Sequence, residues 1–287
     1  MSKYQQAILL ISCPDQRGII SAVTDFISEY DGNILDLDEH VDREHKVFFM
    51  RVAWDLANFK LDQSELNTRF AKSIAEKYRM NWQLHYNTDL PKMAVFVSKL
   101  SHCLYDILGR YQSGEWQVEI PLIISNHEHL KDVADLYQIP FYHIPITKDT
   151  KQQQELKQIE LLREHKVELV VLARYMQILS NQFVDRFTNR IINIHHSFLP
   201  AFPGAKPYHS AYDRGVKIIG ASSHYVTEHL DAGPIIEQDV VRISHKNEIP
   251  ELVRKGKDLE KIVLSRAIYL HLKRKILVYK NRTIIFD

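Results

Sequence analysis

Two cysteines in 287 residues, Cys13 and Cys103, follow no disulfide or metal-binding spacing. They read as small buried hydrophobes of a reducing compartment. No apolar run approaches the length of a membrane span, and Met1-Ser-Lys-Tyr-Gln-Gln lacks the apolar core of a secretory signal. No membrane partner is therefore expected, and the expected compartment is the cytoplasm. Charge of neither sign dominates: 37 Lys and Arg stand against 36 Asp and Glu, a net +1. That balance suggests no basic surface with nucleic acid as its main partner. Internal repeats and low-complexity segments are absent too. A hydrophobic fraction of 45% and a charged fraction of 25% are those of an ordinary globular protein, long enough for one large core or two smaller ones.

What is present divides at a polar linker, Asn87-Thr-Asp-Leu-Pro-Lys92. Ahead of it, Ala7-Ile-Leu-Leu-Ile-Ser12 predicts a strand, and Cys13-Pro-Asp-Gln-Arg-Gly-Ile19 turns into a helix. On that helix Ile19, Ile20, Val23, Phe26 and Ile27 recur at helical spacing, and Asp31-Gly-Asn33 ends it. Residues 33–42 alternate as a strand, Asp42-Arg-Glu-His45 turns, and 48–54 form the hairpin partner. Residues 61–78 predict a second amphipathic helix and 80–86 a fourth strand. The order βαββαβ is the ferredoxin-like split unit.

With Pro14-Asp-Gln-Arg-Gly18 and Gly32-Asn-Ile34, this order resembles the ACT domain, a regulatory module that binds amino acids. The resemblance implies an amino-acid effector site at Asp15, Gly18 and Asn33, close to a subunit interface. A domain used for oligomerisation alone stands beside it as the other reading. A homo-oligomer, dimer or tetramer, is expected, with Val47, Phe49 and Val52 as exposed apolar surface on the sheet face away from the helices.

Beyond the linker, strand and helix signals alternate: strands at 93–97, 118–125, 141–144 and 169–173, helices at 103–110, 127–137 and 151–165. Apolar strands separated by such helices predict a doubly wound, mainly parallel sheet, an α/β fold. A long helix over 257–278 and a short strand, Thr283-Ile-Ile-Phe286, complete the reading. The expected domains are 1–86, then the 87–92 linker, then 93–287.

The chemistry concentrates in Asn193-Ile-His-His-Ser-Phe-Leu-Pro200 and Leu230-Asp-Ala-Gly-Pro-Ile235. Asn193 and His195 are two apart in a strand-like run and share a face. Pro200, Pro203 and Gly204 then forbid simple continuation, so His195 sits where a strand opens into a loop. In open α/β sheets that carboxyl edge binds ligands. An amide, an imidazole and a carboxylate (Asp231) suit attack on a small carbonyl, through oxyanion stabilisation and proton handling. Asn193 or His195 alone reads first as a polar cap of a strand end, and Asp231 as the cap of a turn; the set, with its spacing, points to catalysis. Among the 15 histidines, His196, His209 and His224 are weaker candidates. No HxH or HxxxH pair has a third ligand, so no metal is expected.

These segments resemble the formyltetrahydrofolate-dependent formyltransferases, as do Val171-Leu-Ala-Arg-Tyr-Met-Gln-Ile-Leu179 and Gly220-Ala-Ser-Ser-His-Tyr-Val-Thr227. The resemblance implies a folate pocket lined by Arg174, Tyr175, Met176, Gln177 and Ile178 and by Thr227, Glu228, His229 and Leu230. Core packing is the other reading for Tyr175, Met176 and Ile178. Ser197 either forms a turn or bonds His195.

Members that formylate a phosphorylated ribonucleotide carry a Gly-rich loop after the first strand, where backbone N–H groups hold phosphate. Here the matching stretch is Val97-Ser-Lys-Leu-Ser-His-Cys-Leu104, without glycine, and Leu100 and His102 crowd it. An ACT domain ahead of the catalytic domain resembles the formyltetrahydrofolate deformylases, in which water is the acceptor. This implies hydrolysis of 10-formyltetrahydrofolate, a substrate and not a cofactor, with none other required. Asp231 would position water and take its proton, while Asn193 and His195 stabilise the oxyanion. A transferase with an amine acceptor, and a folate or amino-acid sensor without catalysis, are the alternatives.

Overall fold

The computed structural model describes residues 5–200 and 207–287. The chain divides into two compact units. The first runs to Leu90 and takes in Arg274–Leu277 and Ile284–Asp287; the second comprises Pro91–Lys273 and Val278–Thr283. The division falls within the expected linker. The expected 93–287 domain does not hold all its residues, however, because parts of the C-terminus pack with the first unit.

The first unit is ordered β1 (Gln6–Pro14), α1 (Ile19–Glu29), β2 (Asn33–Asp42), β3 (Val47–Asp55), α2 (Gln63–Phe70), a π-helical turn (Ala71–Ala75), α3 (Glu76–Tyr78) and β4 (Asn81–Tyr86). The antiparallel sheet runs β2-β3-β1-β4. Asp42 accepts from the amides of Glu44 and His45, which closes the β2–β3 hairpin. Asp62 caps α2 by accepting from Ser64 and Glu65. Ile19, Val23, Phe26 and Ile27 pack on Leu9, Ile11, Met50, Val52 and Trp54, so period 3.6 meets period 2 in one core.

The expected exposed surface is not there. Phe49 and Val52 are both 0% exposed and Val47 is half-buried. Val52 belongs to the helix-covered core. On the opposite face Ile8, Leu10, Phe49 and Ala53 are buried too. Arg51, beside Phe49 on that face, donates from Nε to the Arg274 carbonyl at 3.0 Å. The chain's own C-terminal residues therefore contact this face.

The second unit contains β5 (Met93–Val97), α4 (His102–Gln112), β6 (Ile123–Ser125), α5 (Lys131–Leu136), β7 (Phe141–His143), α6 (Lys151–Glu164), β8 (Leu169–Leu172), α7 (Asn181–Arg186), β9 (Ile191–His195), α8 (Pro207–Arg214), β10 (Ile218–Tyr225), β11 (Ile235–Arg242) and α9 (Ile249–Leu272). A hairpin of β12 (Ile276–Tyr279) and β13 (Arg282–Ile285) ends the chain. The sheet order is β11-β10-β9-β8-β5-β6-β7. Strands β5 to β9 are parallel, while β10 runs antiparallel to both β9 and β11. From β5 the chain moves to β6 and β7, then crosses back to β8 on β5's other side. That reversal is the switch point where α/β sheets bind ligands.

Three elements differ from expectation. The strand at 118–125 shrinks to Ile123–Ser125, because Pro121 has no N–H for a ladder. The helix at 127–137 starts as a 3-10 turn, Glu128–Leu130. The helix at 257–278 begins at Ile249, with a Glu248–Glu251 capping box, and stops at Leu272. Arg274 turns left-handed at φ 52°, and Ile276–Tyr279 is a strand. Among the described residues no helix is long and apolar enough to cross a membrane.

Candidate active site

Strands β9 and β10 pair so that Asn193 lies opposite His224 and His195 opposite Ser222. The pleat puts all four on one face, as the i, i+2 spacing of Asn193 and His195 requires. A bulge at Ser223/His224 in the β10–β11 ladder re-aims this end of the strand. Asp231 follows in a turn closed by Ala232 N donating to the His229 carbonyl, and its own φ is 53°.

Asp231 Oδ2 lies 3.2 Å from His195 Nδ1, and Oδ1 lies 3.5 Å from His224 Nε2. Hydrogen bonds from His195, then from His224, hold the Asp231 carboxyl well below the usual carboxylate range. It is ionised whenever the protein is folded near neutral pH. His195 is buried, and its Nε2 has no hydrogen-bond partner. His224 bonds the Tyr225 carbonyl through Nδ1 at 2.9 Å, and its Nε2 is 3.2 Å from Asn193 Nδ2. A neutral His224 accepts from that amide; a protonated one donates to Asp231. In either state it bridges the amide and the carboxylate.

These groups wall a cavity of about 350 Å³, within the size range of ligand sites. Arg174, Tyr175, Met176, Gln177, Ile178, Thr227, Glu228 and Leu230 line it. Met176, Ile178 and Leu230 are 55%, 60% and 65% exposed, an apolar cover suited to a flat ring. Tyr175 contributes mainly as core: it is buried, packs edge-on against Phe96 and accepts from Gln158. His229 is not among the lining residues; its side chain is 80% exposed beside Glu228.

Sequence reasoning missed the pins of the 174–178 loop. Ser98, at the end of β5, donates to Asn126 Oδ1 at 2.6 Å and accepts from Met176 N at 2.9 Å. It thereby ties the loop to the switch point. Ser222 donates to the Ser197 carbonyl and accepts from Leu199 N and Gln238, which fixes the chain after His195. Ser197 is buried in that turn. His224 was ranked low, although the alternation of Ser222 and His224 in Ala-Ser-Ser-His-Tyr is the signal for it. His209 is exposed on α8. His196 is buried beside His195, their rings 5.1 Å apart, and burial, then the Arg174 charge, lower it to about 4. The expected chain breaks at Pro203 and Gly204 lie outside the described residues.

After β5, the glycine-free stretch leads to His102, whose Nε2 contacts Glu260 at 2.8 Å. Cys103 lies close enough for the three to be weighed as metal ligands, with their donor atoms within 4.8 Å of one another. Burial, then Glu260, push the Cys103 thiol well up, and Arg174 already faces Glu260 at 3.5 Å. A protonated thiol and a neutralised carboxylate make a poor cation site. In the first unit Gly18 is left-handed at φ 87°, and its carbonyl accepts from Tyr78. Asp15 and Asn33 are exposed.

The formyl transferase family model matches residues 91–268 and the ACT domain model residues 7–54. The formyltetrahydrofolate deformylase of Synechocystis sp. is 54% identical over 280 residues, covering 98% of each chain. That of Bacillus subtilis is 47% identical, covering 97% of this chain and 93% of its own. The crystal structure of a formyltetrahydrofolate deformylase from Pseudomonas syringae superposes with a TM-score of 0.97 at 42% identity, covering 100% of this chain and 96% of that one. With both domains in the same order and the likeness running end to end, this chain belongs to the formyltetrahydrofolate deformylase family.

Proposed function

We propose that this chain hydrolyses 10-formyltetrahydrofolate to formate and tetrahydrofolate. The observation that carries the reading is the His195–Asp231 contact at 3.2 Å, with His195 Nε2 buried, unpartnered and on the cavity wall. An ionised Asp231 holds the proton of His195 on Nδ1, which leaves the Nε2 lone pair for water. His195 takes the water proton as oxygen bonds to the formyl carbon, and Asp231 stabilises the imidazolium that results. Asp231 was expected to take this proton itself, but its two oxygens are engaged by imidazoles and its basicity is low. The second N–H of Asn193 donates to the oxyanion, a donor worth ~10²–10³ in rate. The imidazolium then returns the proton to the leaving nitrogen, the C–N bond breaks, and formate departs.

The pterin lies in the cavity under Met176, Ile178 and Leu230, with loop backbone reading its polar edge. No residue of this scheme calls for a cofactor. The ACT domain takes an amino acid near Asp15, Gly18 and Asn33, and the chain works as a cytoplasmic homo-oligomer. Formate release from 10-formyltetrahydrofolate without added amine, assayed with and without glycine and methionine, tests the reading. Transfer of the formyl group to an added amine, with formylated amine and no formate as the product, would make the chain a transferase. Folate binding without turnover would make it a sensor.

A further inference from the structure

We propose that Glu260 is a positioning residue for this hydrolysis: its carboxylate holds the Arg174 guanidinium in place on the cavity wall it shares with His195 and His196. The inference rests on the function proposed above. Glu260 projects from α9, and its side chain is 1% exposed. Three side chains from three other segments converge on it, two by hydrogen bonds and Arg174 by an ion pair alone. His102 Nε2, in the first turn of α4, lies at 2.8 Å; the Tyr208 hydroxyl, on α8, donates at 2.7 Å; and Arg174 Nε lies at 3.5 Å. Gly256, one turn before Glu260, makes this possible. A Cβ there would sit 2.1 Å from the Tyr208 hydroxyl. A bare patch on the helix is therefore what lets Tyr208 reach the carboxylate.

A cluster of this kind is a weak device for stability. Packed hydrophobic side chains hold four segments together as well as a buried ion pair or better, because desolvation offsets the Coulomb gain. Its effect on Arg174 is the better account. Arg174 opens the loop whose Met176 and Ile178 cover the cavity, and it stands left-handed at φ 62°. Its charge acts on His196, and Glu260 opposes it there. His196 in turn lies between Tyr208, 6.2 Å away, and His195. The titratable and charged groups near His195 are then Asp231, which His224 also contacts, and His196, on which the Arg174 charge acts, with Glu260 and His102 behind Arg174. Without the Glu260 charge, an uncompensated guanidinium shares the cavity wall with the imidazolium that forms when His195 takes a proton. It makes His195 a weaker base, while the loop itself stays pinned by Ser98.

The test is Glu260→Gln, which keeps the shape and removes the charge. Wild-type enzyme and variant are compared for kcat, for KM, and for the pH dependence of kcat. The expected result is a fall in kcat of ~10- to 100-fold, the scale of a small misplacement of reacting groups. KM should change less than about threefold, since remote folate contacts persist. The acid limb of the profile moves to lower pH, because a guanidinium without its counter-charge disfavours protonated His195. Glu260→Asp, which keeps the charge but withdraws it from Arg174, covers the case in which the Gln variant does not fold. It should lower kcat less and leave the acid limb where it is. A folded Gln variant with wild-type kcat and an unmoved limb would overturn the proposal, as would an Asp variant indistinguishable from wild type. Failure of the hydrolase reading itself would show differently, as no formate from the wild-type protein.

Discussion

A Cβ on Gly233 would fall 1.8 Å from the carbonyl oxygen of Tyr225, the last residue of β10. Tyr225 N donates to the Pro234 carbonyl at 2.9 Å, so the chain after Asp231 folds directly back on the strand end. The glycine of Leu-Asp-Ala-Gly-Pro thus spaces the turn that presents the Asp231 carboxylate to His195. Gly233→Ala is expected to destabilise the protein by ~1–3 kcal/mol, the usual cost of overpacking. It should also lower formate release by up to ~10²-fold through displacement of Asp231. Urea unfolding and initial rates measure the two effects. Values near wild type in both would mean that the backbone yields there at no cost.

Asp231→Asn preserves shape but cannot hold the Nδ1 proton of His195 as an anion does. Formate release should drop ~10³- to 10⁴-fold, as when a buried Asp behind a catalytic His is neutralised. Folate binding, followed by titration calorimetry, should change only a few-fold. More than a tenth of wild-type turnover in this variant would detach His195 from the carboxylate.

His195→Ala removes the proposed base and should lower turnover by at least ~10²-fold, at the low end for a lost general base. His224→Ala leaves that base intact and removes the bridge between Asn193 and Asp231. A smaller fall, about 10-fold, is expected for such a supporting contact. Equal losses in the two variants would place His224 in direct contact with the reacting atoms.

Burial and the nearby Arg274 charge lower His85 to about 4, and burial with Arg174 lowers His196 likewise. Both lie below the unfolded value of ~6.5. The unfolded chain therefore binds their protons first. Their burial costs no stability above that value, and stability falls as pH drops from about 6.5 to about 4. His85→Gln, remote from Asp231, should flatten this slope, with a smaller Tm loss between pH 7 and pH 4.5 than the wild type shows. Parallel Tm curves would exclude His85 as a contributor.

Period-2 and period-3.6 patterns made the ACT elements and most of the second unit legible, because those patterns belong to the chain itself. The same is true of Asn193 and His195, which any strand geometry places on one face, and of the ordered motifs that brought in Asp231. The Ile276–Tyr279 strand was not legible, since a short apolar run fits either period until Arg274 turns left-handed and ends the helix. The bond from Arg51 to the Arg274 carbonyl was not legible either, because it joins residues more than two hundred positions apart.

The residues of the active strand and turn, and the family they signal, follow from sequence alone. Only the tertiary structure decided that His224 joins Asn193, that Asp231 faces two imidazoles and not one, and that Glu260 gathers His102, Tyr208 and Arg174. The reason is physical. Periodicity states which way a side chain points from its own element, whereas the partner it meets is set by cross-strand register and by the packing of helices distant in the chain.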